Sequence, residues 1–79
     1  MSPEQLRWRC RRGIRELDVL FERFLAARFD ELSKAQQMAF TQLLLEQDPI
    51  IMDWLFGKAA PQDQALQDIV ALLRDQAGL

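Results

Sequence analysis

Apolar residues recur along this chain at the spacing of α-helices. The clearest stripe follows positions i, i+3, i+4 and i+7 of a helix and consists of Leu17, Leu20, Phe21 and Phe24. No segment shows the alternation of apolar and polar residues that a β-strand bounded by turn residues requires. The pattern therefore predicts an all-α protein.

Two further stripes predict the inward faces of later helices. On the third predicted helix the inward face consists of Ala35, Met38, Ala39, Leu43 and Leu44. On the last predicted helix it consists of Ala65, Leu66, Ile69, Leu72 and Leu73. Both faces are expected to pack against the core.

Polar residues, prolines and glycines indicate where these helices begin and end. Ser2-Pro3, Ser33, Asp48-Pro49 and Pro61 mark predicted helix starts. Gln5 and Gln36 each follow a serine by three residues, which is the capping-box spacing.

The first helix is predicted to run to about Arg12, where Gly13 ends or bends it, and Gly57 ends the fourth helix. Residues 1–79 are therefore expected to form a single domain, a compact bundle of about five short helices.

The charges are unevenly distributed, although the net charge is only −2. Residues 1–28 contain seven arginines and four acidic residues, which gives +3. Residues 29–79 contain three basic and eight acidic residues, which gives −5. This asymmetry bears on the choice and orientation of a partner and not on the fold.

The chain carries no signal of export or membrane insertion. No run approaches 18 apolar residues, and the N-terminal residues lack the basic-then-apolar order of a secretory signal. The single cysteine, Cys10, has no partner for an internal disulfide. We therefore expect a bacterial cytoplasmic protein without direct membrane insertion.

The residues that most enzymes need are missing. The chain has no histidine, no pair of cysteines, and three glycines too dispersed for a phosphate-binding loop. We therefore expect no catalytic residue, no metal site and no stably bound cofactor. This composition favours a binding protein over an enzyme.

The first sixteen residues contain the strongest candidate binding surface. Helical spacing would bring to one side Trp8, Arg11, Arg12 and Arg15. Tryptophan and arginine are both enriched at binding hot spots. The alternative is that Trp8 packs into the bundle and the arginines are merely solvated. Leu6, Cys10 and Leu17 fall on the other side and are expected to face the core.

Two other features of this segment also allow a plain structural interpretation. Gly13 is either a glycine that ends the first helix or a position where a side chain would block a partner. Arg12 and Glu16 could form an ordinary surface ion pair four residues apart, worth about 0.3–0.5 kcal/mol.

In order, Arg12-Gly13-Ile14-Arg15-Glu16 resembles the R-G-x-x-E motif of the SdhE family, bacterial relatives of the mitochondrial succinate dehydrogenase assembly factor. The resemblance extends over residues 8–18. It continues at Asp48-Pro49 and Asp53-Trp54-Leu55, which are similar to a second recurrent segment of that family. The chain length and the helix pattern agree with the same family.

The resemblance implies a function. Members bind the flavoprotein subunit of succinate dehydrogenase or fumarate reductase and promote covalent attachment of FAD to a histidine of that subunit. The assembly factor acts as a chaperone, so the chain would be no enzyme and would hold no cofactor of its own. Members often carry a basic residue near the position of Gln5, so a contact there is not carried over. We expect the free protein to be a monomer.

The resemblance also implies a contact surface at the motif, with the glycine needed for function. The expected partner-binding residues are Arg12, Gly13, Ile14, Arg15 and Glu16, together with the neighbouring Trp8 and Arg11. In the second segment, Trp54, Leu55 and Phe56 are expected to cover one end of the core, although a second contact patch there is the alternative.

Other functions remain open from the sequence. A regulatory module such as the antitoxin of a toxin–antitoxin pair would bind a toxin instead of a flavoprotein. Five arginines between residues 7 and 15 suggest nucleic acid, but the pI of about 5.0 disfavours it, since nucleic-acid-binding domains commonly exceed 9. Direct FAD binding, with Trp8 as a stacking surface, lacks a glycine-rich loop.

Overall fold

The computed structural model describes residues 2–79, and these residues form five α-helices and one short 3-10 turn. The α-helices are α1 (Pro3–Arg9), α2 (Arg15–Ala27), α3 (Lys34–Leu43), α4 (Asp48–Leu55) and α5 (Gln64–Ala77), and the 3-10 turn spans Phe29–Glu31. No strand occurs among the described residues, so the predicted all-α class and the five helices are confirmed. None of the helices in this range is long and apolar enough to cross a membrane.

Two predicted capping boxes are present. Ser2 Oγ accepts a hydrogen bond from the Gln5 N–H at 3.2 Å, and the Gln5 side chain accepts one from the Ser2 N–H at 3.1 Å. Ser33 and Gln36 repeat this exchange at 3.1 and 3.0 Å. Each box satisfies two N–H groups at a helix start, where no carbonyl of the helix is available to accept them.

The predicted end of the first helix was wrong. α1 ends at Arg9 instead of Arg12, because the hydrogen bonds after Arg9 begin to span three residues instead of four. The Cys10 N–H is shared between the carbonyls of Leu6 and Arg7, and the Arg12 N–H donates to the side chain of Asp18. The chain therefore leaves the helix before the motif begins.

Two predicted helix starts also differ in detail. Gln47 occupies the cap position before α4, and Asp48 is the first residue of the helix. α5 begins at Gln64 instead of Pro61, because Asp63 supplies its cap by accepting the Leu66 N–H at 3.1 Å.

α5 packs against α2, α3 and α4, and the apolar faces of these helices meet around Phe40. Phe40 is fully buried, and its ring centroid lies 5.2 Å from that of Phe24, 5.8 Å from that of Phe29 and 6.0 Å from that of Phe21. The buried residues are all apolar: Leu6, Cys10, Leu17, Phe21, Phe24, Ala39, Phe40, Leu43, Leu44, Ile51, Trp54, Leu55, Pro61, Leu66, Ile69, Val70 and Leu73.

The predicted inward faces of α3 and α5 were partly wrong. Met38 is 72% exposed, and Ala35 and Ala65 are exposed as well. The buried face of α3 runs through residues 39, 40, 43 and 44. Since successive residues turn by about 100°, Met38 then lies on the opposite side of the helix. The large aromatic Phe40, absent from the predicted face, fixes this rotation.

The end of α4 follows the prediction except at Phe56. Trp54 and Leu55 are buried, whereas Phe56, the cap residue that follows the helix, is 57% exposed. Gly57 closes α4 as predicted. Its N–H donates to the Trp54 carbonyl at 3.3 Å, and the Lys58 N–H donates to the Asp53 carbonyl at 2.9 Å, which is the Schellman pattern.

Phe40→Leu should lower the free energy of unfolding by about 1–3 kcal/mol, because it removes three aromatic contacts from a closed core. Met38→Ala on the same helix should change it by less than about 0.5 kcal/mol, because Met38 lies in solvent. Urea denaturation followed by circular dichroism measures both. Equal losses in the two variants would contradict the observed rotation of α3.

Candidate partner-binding site

The motif begins in a turn that connects α1 to α2. Gly13 lies in this turn with φ +82°, a conformation that costs other residues about 1–2 kcal/mol. A Cβ atom built on Gly13 meets nothing within 4 Å, so the glycine serves the backbone and not the packing of this chain. It lies four residues after the end of α1, where Cys10 is the cap, so the interpretation as a helix-ending glycine was wrong.

Almost all the hydrogen-bond donors of the Arg12 guanidinium bind acceptors within the chain. Nε donates to Asp48 Oδ1 at 2.7 Å, and Nη1 donates to the carbonyls of Leu44 at 2.6 Å and Arg9 at 3.1 Å. Nη2 donates to the carbonyl of Glu46. These bonds use four of the five N–H groups, and the side chain is only 13% exposed.

The acceptors of Arg12 are groups that α1, α3 and α4 leave unsatisfied or polarised. Arg9 is the last residue of α1 and Leu44 is the cap residue of α3, so both carbonyls lie at the negative ends of helices. Asp48 lies in the first turn of α4, where a negative charge is favourable. One cation therefore joins three helix ends.

This geometry corrects two predictions about the segment. Arg12 does not pair with Glu16, because it lies outside any helix and its charge is matched by Asp48. The predicted single helical face is also interrupted, since α1 ends at Arg9 and α2 begins at Arg15.

The other motif residues lie at the surface. Trp8 is 73% exposed, which excludes the alternative that its ring packs into the bundle. Arg11, Arg15 and Glu16 are also exposed, and within residues 2–79 their side chains form no hydrogen bond or ion pair. Ile14 is half-buried against the core. As expected, the residues that face inward are Leu6, Cys10 and Leu17.

An open groove of about 610 Å³ runs beside the motif. Trp8, Arg9 and Arg11 form one wall, and the turn between α3 and α4 forms the other. The residues of the second wall are Glu46, Gln47 and Pro49, and the Arg12–Asp48 ion pair joins the two walls. The groove thus unites three of the predicted residues, Trp8, Arg11 and Arg12, but not Gly13, Ile14, Arg15 or Glu16, which follow it in the chain.

The sequence did not reveal the second wall. Arg12 and Asp48 are 36 residues apart, and no periodicity connects them. Asp48-Pro49 has the pattern of a helix start and belongs to the family resemblance, but no local pattern links the Asp48 carboxylate to Arg12.

Among the described residues no group of three or more histidine, cysteine or acidic side chains is arranged to hold a metal ion. Burial raises the pKa of the Cys10 thiol to about 11, although the nearby Arg12 opposes this shift. The thiol therefore stays protonated at neutral pH and is a poor nucleophile.

The chain is similar to several known proteins. Residues 4–77 match the family model Sdh5, described as flavinator of succinate dehydrogenase. The chain is 40% identical over 70 residues to the FAD assembly factor SdhE of Coxiella burnetii, covering 89% of this chain and 85% of that protein. It is 41% identical over 74 residues to the protein of that name from Legionella pneumophila strain Paris, covering 94% and 92%. The counterpart from Colwellia psychrerythraea is 44% identical over 73 residues, covering 92% and 80%.

Arg12→Lys should lower the free energy of unfolding by about 1–3 kcal/mol, since an ammonium group cannot reproduce the fork that reaches four acceptors. Arg11→Lys is the matched control, because Arg11 is exposed and its side chain has no partner within residues 2–79. Its effect should stay within about 0.5 kcal/mol. Urea denaturation tests the pair, and an Arg12→Lys variant as stable as Arg11→Lys would refute the structural role of Arg12.

Stability should fall as the pH rises above about 9. The unfolded chain loses the Cys10 proton near its ordinary pKa of 9.0, whereas the folded chain keeps it to about 11. The stabilisation is therefore complete below pH 9 and lost between 9 and 11, which amounts to about 1 kcal/mol between pH 8 and 10. The chain has no tyrosine, so few other groups titrate in this range. Urea midpoints at pH 8 and 10 should differ less for Cys10→Ala, and identical pH slopes would contradict the assignment.

Proposed function

The chain belongs to the Sdh5 family, the flavinators of succinate dehydrogenase, and from this membership we propose that it is an FAD assembly factor. It binds the flavoprotein subunit of succinate dehydrogenase or fumarate reductase and promotes covalent attachment of FAD to a histidine of that subunit. This subunit is its client.

The exposed set of side chains around Gly13 supports the contact with the client. Trp8, Arg11, Arg15 and Glu16 are exposed and have no polar partner within residues 2–79. An exposed tryptophan beside unpaired charges is the composition of a protein interface. Such side chains contribute little to the stability of the chain itself, which supports a role in binding.

The assembly factor acts on the geometry of the client and not as a catalyst. The chain has no histidine, so it cannot itself supply the side chain that accepts the flavin. Covalent bond formation belongs to the flavin and the client. Binding holds the client in a geometry where its histidine meets the flavin, and orientation of this kind can lower a barrier by several kcal/mol.

The motif residues after Arg12, together with Arg11, have distinct parts in the proposed contact. Arg11 and Arg15 meet acidic or carbonyl groups of the client, and Glu16 meets a client cation, since Glu16 does not pair with Arg12. Gly13 leaves room for the client backbone, because its missing Cβ faces open space in this chain. Ile14 supports the turn by packing against the core.

We infer further properties of the chain on its own. It holds no cofactor stably, since FAD stays with the client. The free chain is a monomer in the bacterial cytoplasm and does not bind nucleic acid or insert into membranes.

Gly13→Glu should abolish most covalent flavin on the client, because the new side chain projects into the contact surface. Gly78→Glu is a matched control. Gly78 also has a positive φ, +75°, and open space around its missing Cβ, but it lies at the end of α5. Both variants carry the same backbone strain of about 1–2 kcal/mol.

The measurement is in-gel flavin fluorescence of the client in cells that lack the gene and are complemented with each variant. Wild type and Gly78→Glu should restore fluorescence, and Gly13→Glu should not. Equal restoration by both variants would remove Gly13 from the contact. Normal fluorescence without the gene would overturn the proposed function, and so would affinity capture that returned a toxin in place of the flavoprotein subunit.

A further inference from the structure

We propose that the client binds both walls of the groove, and that Arg12 is a positioning residue that joins these walls and does not itself contact the client. This inference rests on the proposed function. It extends the docking surface from the motif to the turn between α3 and α4, through Glu46, Gln47 and Pro49.

The hydrogen-bonding capacity of Arg12 supports the positioning role. Four of its five N–H groups already donate within the chain, and 13% of its side chain is exposed. A partner could reach one donor at most. Arg12 also binds the Leu44 and Glu46 carbonyls and the Asp48 carboxylate, so it fixes the position of the whole second wall.

The two walls offer different chemistry to one occupant. Arg9 and Arg11 have no ionic partner within residues 2–79, whereas the charge of Arg12 is matched by Asp48. The first wall is therefore cationic and the second contributes the Glu46 carboxylate. Trp8 and Pro49 add an apolar surface on each side.

A complementary client segment presents acidic groups toward Arg9 and Arg11, a cation toward Glu46 and an apolar side chain between Trp8 and Pro49. This charge order would bind such a segment in one direction only. The groove continues from the exposed motif, which is why the client, and not a second partner, is assigned to it.

The second wall is tested with Gln47→Arg, an exposed substitution that breaks no hydrogen bond within residues 2–79. The matched control is Gln62→Arg, which makes the same charge change at an exposed glutamine outside the groove. Calorimetry with the purified client subunit lacking covalent FAD gives the affinity. Gln47→Arg should weaken binding about tenfold or more, and Gln62→Arg by less than about twofold.

Equal affinity of the Gln47→Arg and Gln62→Arg variants would overturn the inference while leaving the proposed function in place. Failure of the wild-type chain to bind the client at all would overturn the proposed function and this inference with it.

The positioning role of Arg12 needs a control for lost stability. Phe40→Leu provides it, because this core variant is expected to be destabilised to a similar extent while the groove is unchanged. Under conditions where both variants remain folded, Arg12→Lys should weaken client binding about tenfold or more, and Phe40→Leu by less than about twofold.

Amide hydrogen exchange of residues 44–48 in the free protein separates positioning from direct contact. Arg12→Lys should accelerate exchange there, since the acceptors of this segment lose their donors. Weakened binding with unchanged exchange would show that Arg12 contacts the client directly. Unchanged binding would show that the link between the two walls does not contribute to client binding. Either result overturns the positioning role.

Discussion

The arrangement of the motif depends on the bonds made by one guanidinium group, that of Arg12. It satisfies carbonyls at the ends of α1 and α3 and pairs with a carboxylate in the first turn of α4. Helix ends carry unsatisfied groups and partial charges, and a planar cation with several donors matches them better than any other side chain. Since α1 is a single short helix with few buried residues, this junction gives it a defined position.

The hydrogen bonds of Arg12 within the fold determine where the neighbouring side chains lie. The hydrogen bonds of Arg12 fix the turn after α1. Trp8 and Arg11 precede Arg12 in the chain and line the groove. Gly13, Arg15 and Glu16 follow it, in the turn and in the first residues of α2. The motif thus combines a residue whose guanidinium is bonded within the fold with exposed residues, Arg15 and Glu16, whose side chains have no polar partner within residues 2–79.

The local parts of the fold were predictable from the sequence. Ser2 and Ser33 form the expected capping boxes, and the stripe through Phe21 and Phe24 is buried, because caps and helical periodicity depend on residues within one or two turns. The rotation of α3 was not predictable in this way. Ala35 and Met38 have the right spacing for an inward face, but the fit of Phe40 among three other aromatic rings decides the orientation.

The candidate site was predictable only on one side. Composition and helical spacing pointed to Trp8, Arg11 and Arg15, whereas Gly13, Ile14 and Glu16 were expected only from the family resemblance. The Arg12–Asp48 pair joins residues 36 positions apart, and its formation depends on how α1 and α4 meet in space. The same limit concealed the second wall of the groove at residues 46–49.

Hydrogen–deuterium exchange of the chain, with and without the purified flavoprotein subunit, tests the central claim most directly. The subunit should slow amide exchange in residues 8–16 and in residues 45–50. It should leave the exchange rates of α5 unchanged. Protection confined to α5, or no protection at a concentration of subunit that saturates binding, would contradict a docking surface at the Arg12 junction.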